Sequence, residues 1–327
     1  MRLCLFDPGI STHDGTPAEN LGNLIIQQAV LREIHSLFEG WQIIRISTFA
    51  PPTPELRREL RNADLCIAGG TNLLTSEMNR YRQWVISPKH ALGMRRTLLL
   101  GVGWWTYQRP PNLFTRIFLR LLLSGKGLHS LRDQYSVNQL AAGGYANAVN
   151  TCCPTLWPLV GAGPDQTPIR KAQDALLLLT DYDQDPEADQ RLITLLNSEY
   201  RTVYFWPQGA TDLQYVRQLK GNLTLLERSF DAFTHFTRNH RDFDYIGTRL
   251  HGGVHCLNQH RRSLIIEIDN RAAEIRRDTG LRTAGRKDFD AIRQWIREPA
   301  PFHIRLPVAA IDQWRAQFTN LRQVARS

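Results

Sequence analysis

The stretch FDYIGTRLHGGVHCLNQHRRSLIIEI, residues 243–268, contains the elements that decide the fold. A short apolar strand around Tyr245 and Ile246 leads into a turn, and a helix follows that is entered through Gly252 and Gly253. A second apolar strand ends the stretch. This order of strand, turn, helix and strand is typical of a parallel sheet in an α/β protein.

The turn in this stretch carries the residue types of an anion-binding site. Arg249 offers a planar fork suited to a carboxylate or phosphate, and His251 can exchange a proton near neutral pH. The first turn of a helix also presents unpaired backbone N–H groups and partial positive charge, and paired glycines let a backbone approach a ligand closely. The turn therefore predicts an anionic substrate that undergoes acid–base chemistry. The alternative is a structural Arg and a buried His at a tight turn.

Strands alternate with helices on both sides of a Gly-, Pro- and polar-rich stretch at 161–167. Strands are predicted at 3–6, 41–49, 63–68, 97–102, 128–131, 147–150, 175–179, 202–206, 223–226 and within 243–268. This pattern predicts two doubly wound, Rossmann-like domains, at 1–160 and 161–305, with 161–167 as linker and a C-terminal helix in 306–327. Strand carboxyl ends that face a cleft between the domains would form the active site.

Two further loops are candidates for the ligand cleft because each follows or precedes a predicted strand or helix in the first domain. Their residues are Asn20, Gly22, Asn23, Gly69, Gly70, Thr71 and Asn72. Helix capping by Asn and tight turns at Gly are equally good explanations of these residues.

Composition narrows the class of partner. The chain has 327 residues, 42% hydrophobic content, a formal net charge of +9 and a pI near 9.6, which favours anionic small molecules, phospholipid surfaces or nucleic acid. The excess charge is expected to be spread over Arg-rich helices without a basic tail, so no nucleic-acid partner is expected. Five cysteines without CxxC spacing are typical of reduced thiols in a cytoplasmic protein.

Two helices allow a second interpretation. The stretch 112–123, with Arg116 and Arg120 four residues apart, is either a crossover helix or an amphipathic helix on an anionic membrane. The crossover helix is favoured because an α/β unit requires one there. His251 and His255 are also four apart, but no HExxH pattern accompanies them, so no metal site is expected.

Four short motifs occur in a fixed order along the chain: Asn20-x-Gly22-Asn23, Gly69-Gly70, Ser130-x-Arg132-Asp133 and Arg249-Leu250-His251. In this order the chain resembles the polysaccharide pyruvyl transferase family. The resemblance implies a two-domain fold like that of GT-B glycosyltransferases and the transfer of pyruvate from phosphoenolpyruvate to two hydroxyls of a sugar, which forms a cyclic ketal. It implies no cofactor besides this donor. Many members have Asp-Pro where this chain has Cys153-Pro154, which leaves the role of that corner open.

The resemblance also assigns roles to residues. Arg132 and the group Arg249, Leu250 and His251 fall where the family binds phosphoenolpyruvate, with the acceptor expected on the first domain and the donor on the second. Catalytic roles are predicted for His251, Arg249 and Arg132, with one Arg clamp from each domain and His251 in proton transfer. Substrate contacts are predicted for Leu250, Gly252, Gly253, Asn20, Gly22, Asn23, Gly69, Gly70, Thr71, Asn72, Ser130 and Glu267. Glu267 and Asp269 either assist proton transfer or, as the favoured role, orient Arg249 or cap a turn.

Two other functions remain open from the sequence. A glycosyltransferase of the same architecture would place a nucleotide-sugar diphosphate on the same helix N-terminus, and a non-catalytic polysaccharide-assembly protein could retain the fold. The acceptor is expected to be a glycan of exopolysaccharide or cell-surface type, with lipid linkage and peripheral contact at the inner membrane face as further expectations. Replacement of Arg249 or His251 by Ala is expected to abolish transfer while leaving the fold intact.

Overall fold

A computed structural model describes residues 1–92, 96–163 and 167–319, and these divide into two compact units. The first unit contains residues 1–18, 26–157 and the chain from Leu306 onward, and the second contains residues 19–25 and 158–305. Residues 19–25, which were predicted in the first domain, therefore belong to the second unit, and the last helix belongs to the first unit. Residues 164–166 of the predicted linker and the end of the predicted C-terminal helix, from residue 320, lie outside the described residues.

The first unit is built on a parallel sheet in the order β2-β1-β3-β4. Its strands are β1 (Arg2–Asp7), β2 (Gln42–Ser47), β3 (Leu65–Gly69) and β4 (Leu98–Leu100). A further parallel pair, β5 (His129–Leu131) and β6 (Ala148–Asn150), joins the far side of β4, since the N–H of Gly101 bonds the carbonyl of Ser130. This is a doubly wound order, with a change of direction between β1 and β3.

Helices cover both faces of this first sheet. They are α1 (Gly22–Leu37), α2 (Pro54–Asn62), α3 (Pro88–Ala91), α4 (Leu113–Leu122) and α5 (Gln134–Ala142), followed by a 3₁₀ helix at Pro154–Leu159. Successive β1 residues enter opposite cores: Cys4 and Phe6 lie in one, Leu3 and Leu5 in the other. This alternation is expected of a strand buried on both faces.

The second unit has six parallel strands in the order β12-β11-β10-β7-β8-β9. They are β7 (Asp174–Leu178), β8 (Thr202–Phe205), β9 (Thr224–Leu225), β10 (Phe243–Gly247), β11 (Ser263–Glu267) and β12 (Thr283–Gly285). Numbered within the unit, the order is that of the Rossmann fold, and the change of direction falls between β7 and β10. The prediction of an α/β fold with parallel, doubly wound sheets is confirmed.

The helices of the second unit are α6 (Pro186–Glu199), α7 (Asp212–Val216), α8 (Phe230–Asn239), α9 (Leu250–Asn258), α10 (Asn270–Thr279) and α11 (Phe289–Arg297). The last helix, α12 (Val308–Ala316), packs on the first unit, where the indole N–H of Trp314 donates to the carbonyl of Leu99 over 3.1 Å. Neither α10 nor β12 was predicted from the sequence. No helix within the described ranges is long and apolar enough to cross a membrane.

Candidate functional site

The turn of the second unit lies where its sheet changes direction. Arg249 is the N-cap residue of α9, directly after β10, and the N–H of Thr248 continues the pairing with β7 by donating to Leu178 over 2.9 Å. The phenol of buried Tyr245 donates to the carbonyl of Arg249 over 2.6 Å. The switch point of an open α/β sheet is where such folds bind ligands, so the structure places the turn at the expected position.

The guanidinium of Arg249 is buried and held by two carboxylates from other loops. Its Nε donates to Asp212 over 3.1 Å and its Nη2 donates to the second oxygen of the same carboxylate. Nη2 also lies 3.3 Å from Asp181, and Nε donates to the carbonyl of Leu179 over 3.4 Å. Asp181 follows β7 and Asp212 begins α7 after β8, so three loops at one sheet edge meet at this single side chain.

The two carboxylates titrate differently because their surroundings differ. Burial raises the pKa of the Asp212 carboxyl above its ordinary value, although Arg249 and the N–H of Gly209 act against it. Partial burial acts in the same direction at Asp181, but hydrogen bonding from Thr211 and the charge of Arg249 hold its pKa below the ordinary value. Two acidic partners around one guanidinium mean that an incoming anion needs further positive charge at this turn.

A second cation lies beside this turn. Arg228 donates from Nε to the carbonyl of Gly209 over 2.9 Å and from Nη2 to the carbonyl of Glu19. A Cβ placed on Gly209 would lie 2.4 Å from Nη2 of Arg249, so Gly209 separates the two guanidinium groups. Within the part of the chain that the structure describes, Arg228 pairs with carbonyls and no carboxylate. No sequence motif marks Arg228, and it was not among the predicted site residues.

His251 and Leu250 occupy the first turn of α9, and both are buried. His251 lies two residues after the N-cap residue Arg249, in the helical turn whose backbone N–H groups point away from the helix. The predicted neighbours Arg249, Leu250 and His251 are thus brought together at one helix start.

Gly252 and Gly253 are explained by close packing of α9 on its own sheet. A Cβ on Gly253 would lie 2.2 Å from Ile265 and 2.6 Å from the Tyr245 ring, and one on Gly252 would lie 2.6 Å from Leu178. A side chain at either position would therefore force its neighbours to shift, and at Gly253 these include the buried Tyr245 ring. The close approach that the sequence analysis assigned to a ligand is made here by the sheet.

The loop at Asn20 is joined to the same helix start through Gln208. The Asn20 carboxamide oxygen accepts from the N–H of Gly22 and from Gln208 Nε2, each over 3.0 Å, and the N–H of Leu21 donates to the Gln208 carbonyl over 3.0 Å. Gln208 is buried, and its Oε1 has no hydrogen-bond partner among the described residues. This oxygen lies 3.3 Å from the position a Cβ on Gly252 would occupy. Asn23 is bonded back to Asn20 through its N–H.

In the first unit, the Gly69–Asn72 turn and Arg132 come together. Buried Arg132 donates from Nη1 to the carboxamide oxygen of Asn72, from Nε to Asp133 over 3.1 Å and from Nη2 to the carbonyl of Trp104 over 3.4 Å. The turn itself uses left-handed backbone at Gly70 (φ 67°) and Thr71 (φ 53°). Such a conformation is uncommon for a β-branched residue. The structure therefore joins two motifs that lie far apart in sequence.

Other predicted site residues have structural partners. Ser130 is buried, lies 2.5 Å from the hydroxyl of Thr151 and accepts from the N–H of Gly101 over 2.8 Å. Glu267 pairs with Arg276 over 3.0 Å, whereas Asp269 caps α10 by accepting from the N–H of Arg271 over 2.9 Å. The capping role favoured for Asp269 is confirmed. The orientation of Arg249 falls instead to Asp181 and Asp212.

Cys153, the departure from the family pattern, lies within the electrostatic reach of Arg132. Burial raises the pKa of its thiol, although hydrogen bonding with Thr155 and the charge of Arg132 lower it. The hydroxyl of Thr155 donates to the Cys153 sulfur over 3.1 Å. The Cys153 thiol therefore stays uncharged near neutral pH.

His255 belongs to the core of the second unit. Its Nε2 lies 3.1 Å from the hydroxyl of Thr237, and its ring centroid lies 4.8 Å from that of Phe233. Burial, helped by the charge of Arg238, lowers its pKa to about 4. Across residues 1–92, 96–163 and 167–319 no group of three or more His, Cys, Asp or Glu is arranged to hold a metal ion.

A small, partly open pocket lies at the opposite edge of the second sheet, around Arg262 and Ser263 at the start of β11. Arg262 is buried there and donates to Asp244 over 3.0 Å and to the carbonyl of Trp295 over 2.6 Å. This pocket is at the amino-terminal ends of the strands, so it is separate from the turn at Arg249.

A family model described as polysaccharide pyruvyl transferase matches residues 20–270. The chain is similar to a UDP-GlcNAc 2-epimerase from Neisseria meningitidis bound to UDP-GlcNAc, with 11% identity and a TM-score of 0.44 over 98% of this chain and 94% of that one. It is also similar to LpCGTa in complex with UDP, with 12% identity and a TM-score of 0.40 over 98% of this chain and 93% of that one. Among curated proteins none matches the chain.

Proposed function

Since the chain belongs to the polysaccharide pyruvyl transferase family, we propose that it transfers pyruvate from phosphoenolpyruvate to two hydroxyls of a sugar, forming a cyclic ketal. The acceptor is a precursor of an exopolysaccharide or cell-surface glycan, and the donor supplies the reactive group without a cofactor. The observation that carries this proposal is the start of α9, where Arg249 and His251 lie together in the first turn of a helix at the switch point of a Rossmann sheet.

The reaction balances with the groups at hand. A proton is added to the methylene carbon of phosphoenolpyruvate, and the two sugar hydroxyls form bonds to the central carbon as the phosphate leaves. Of the two hydroxyl protons, one replaces the proton consumed at carbon and the other departs with phosphate. A residue that titrates near neutral pH suits these transfers, and we assign this role to His251.

The donor has a carboxylate and a phosphate, so it needs more than one cation. Asp181 and Asp212 already balance the charge of Arg249, and we therefore assign the donor's phosphate to the first-turn N–H groups of α9 together with Arg228. In this proposal Arg249 has two roles: it holds the turn in place through Asp181 and Asp212, and it contacts the anion. In the first unit, the Arg132–Asn72 pair is the corresponding candidate for substrate contact.

The buried Oε1 of Gln208 supports a ligand at this helix start. A buried acceptor without a partner costs free energy, and a ligand or water that donates a hydrogen bond would remove that cost. In the proposed reaction, a hydroxyl of the acceptor sugar would donate this hydrogen bond to Gln208 Oε1.

The deciding experiment incubates the purified chain with phosphoenolpyruvate and a panel of synthetic or lipid-linked glycosides that carry free diols. We expect phosphate release together with a pyruvate-sized mass gain on one glycoside. Thermal unfolding with each ligand separates the alternatives. Stabilisation by phosphoenolpyruvate supports the proposal, stabilisation by a nucleotide sugar without pyruvyl transfer would indicate a glycosyltransferase, and stabilisation by neither would indicate a non-catalytic protein.

The role of His251 has its own test. His251→Gln keeps a hydrogen-bonding side chain of similar length but cannot exchange a proton near neutral pH. We expect phosphoenolpyruvate still to raise the unfolding temperature of this variant while pyruvyl transfer falls by a factor of about 10² to 10⁴. Turnover at the wild-type rate would remove the catalytic assignment.

A further inference from the structure

Residues 78–132 differ from the rest of the chain in charge. This segment contains ten Arg and Lys residues and no Asp or Glu, whereas the remaining residues contain thirty basic and thirty-one acidic side chains. The whole positive excess of the protein is therefore carried by one segment. The expectation that the excess positive charge is spread along the chain was wrong. Basic residues do occur along the whole chain, but Asp and Glu balance them everywhere except in residues 78–132.

The helix α4 lies within this segment and has two apolar faces. Thr115, Phe118, Leu119 and Leu122 are buried against the first unit, as expected of a crossover helix. On the other face Leu113 is 72% exposed, Ile117 52% and Phe114 39%. Aliphatic side chains exposed to this degree on one helix face are uncommon unless something covers them.

Cations flank the exposed apolar face. Arg116 and Arg120 lie on α4 itself and are exposed. The short helix α3 packs against α4 and adds exposed Lys89, with Leu92, 63% exposed, directly after it. Among the residues that the structure describes, none of these three cations has an acidic partner, whereas Arg80 pairs with Glu77, which lies just before the segment.

We propose that this face of α4, with Leu113, Phe114, Ile117, Arg116 and Arg120, binds the surface of an anionic phospholipid bilayer. Aliphatic side chains enter the boundary between headgroups and acyl chains, while flanking Arg side chains reach the phosphates. A nucleic acid would match the charge but offers no apolar partner for Leu113 and Ile117. The absence of acids through residues 78–132 indicates a partner surface that is uniformly negative. This proposal does not depend on the reaction proposed above.

The test is flotation of the full chain with vesicles of phosphatidylcholine alone or of phosphatidylcholine with phosphatidylglycerol, at low and high salt. We expect binding to the anionic vesicles only, weakened by salt. Leu113→Gln with Ile117→Gln should lower partitioning at least about tenfold. Arg116→Gln with Arg120→Gln should lower it about 25-fold, from roughly fivefold for each cation.

Matched controls come from exposed residues of the second unit. Ile169→Gln with Leu225→Gln removes the same number of exposed apolar side chains, and Arg217→Gln with Arg241→Gln removes the same charge. Both controls should bind vesicles within about twofold of the wild type, since neither pair lies in the proposed surface.

Several outcomes would overturn the proposal. These are failure of the wild type to bind anionic vesicles, equal binding to neutral and anionic vesicles, and wild-type binding by both α4 variants. Binding of a single-stranded oligonucleotide that is lost in the Arg variant but kept in the apolar variant would assign the surface to nucleic acid instead. Wild-type flotation at the two salt concentrations tests binding to anionic lipid even where a variant is unstable, and each of the two α4 variants tests the assignment to this face independently of the other.

Discussion

The guanidinium of Arg249 and the carboxylate of Asp212 form a buried two-point pair, in which Nε and Nη2 donate to the two carboxylate oxygens. The pair ties the start of α9 to the start of α7, and hence the loop after β10 to the loop after β8. Because Asp212 also accepts from the N–H of Gly209 over 2.6 Å, the same carboxylate fixes both the cation and the neighbouring backbone. The shape of the candidate site therefore depends on a residue outside every recognised motif.

Asp212→Asn should destabilise the protein by about 3 kcal/mol, since it leaves the buried charge of Arg249 with one acidic partner fewer. Pyruvyl transfer should fall with it, because the turn loses its fixed geometry. Urea unfolding and phosphate release measure the two effects. The matched control is Asp290→Asn, which breaks an exposed pair with Arg293 and should cost less than about 1 kcal/mol. Equal stability of the two variants would contradict a structural role for Asp212.

The same pair revises the expectation for Arg249→Ala. That change would leave Asp212 and Asp181 together without their shared cation, so the fold is not expected to stay intact. Loss of transfer in this variant would not separate binding from folding. Arg249→Lys keeps the charge but cannot make the two-point contact. It should retain more stability than Arg249→Ala in urea unfolding.

Arg228→Gln should raise the KM for phosphoenolpyruvate about tenfold or more while the unfolding free energy changes little, because its partners are carbonyl oxygens at an exposed position. Initial-rate kinetics of phosphate release measure the effect. Arg217→Gln, an exposed Arg on the same unit, is the control and should leave KM unchanged. An unaltered KM in Arg228→Gln would remove Arg228 from the donor site.

Periodicity and turn residues were sufficient to predict the strands and the turn at Arg249, because each depends on neighbours in sequence. The strand predicted at 202–206, for example, is β8, Thr202–Phe205. In contrast, α10 and β12 were missed, since α10 has only a few apolar residues and β12 is the three-residue run Thr283–Gly285. Neither gives a clear periodic signal.

The partners of the site residues were less predictable than the elements. In the sequence, Asp181 lies 68 positions and Asp212 lies 37 positions from Arg249. Gln208 lies about 44 positions from Gly252. Only the order of the strands in the sheet brings these residues together. Their one sequence signal is that each closely follows a strand. By the same reasoning Asn72 meets Arg132 because β3 and β5 flank β4. The prediction of an active site between the units stays a prediction.

Gly253→Ala should cost about 1 to 3 kcal/mol, because its Cβ would enter the space of Ile265 and the buried Tyr245 ring. The displaced α9 would also disturb Arg249, so transfer should fall in parallel. Gly125→Ala is the control, because a Cβ there meets nothing within 4 Å and its stability should change by less than about 0.5 kcal/mol. If Gly253→Ala were as stable as this control, packing on the sheet would not explain the glycine.

Stability should fall as the pH drops from about 6.5 to about 4, because two buried histidines resist protonation in the folded state. Burial lowers the pKa of His129 to about 4, and burial with the charge of Arg238 lowers that of His255 to about 4. In this window the unfolded chain binds more protons than the folded chain, so each His contributes a slope of at most about 1.4 kcal/mol per pH unit.

Variants should separate the contributions of His129 and His255 to the pH dependence of stability from an opposing contribution of Asp244. Urea unfolding at several pH values should show a shallower slope for His255→Gln and a still shallower one when His129→Gln is added. Burial raises the pKa of Asp244 to about 6 although Arg262 and Tyr200 act against it, so the folded state keeps this proton longer and stability falls as pH rises through the window. Asp244→Asn removes that opposing effect and should steepen the wild-type slope. A slope that none of the three variants changes would show that these buried groups do not control acid stability.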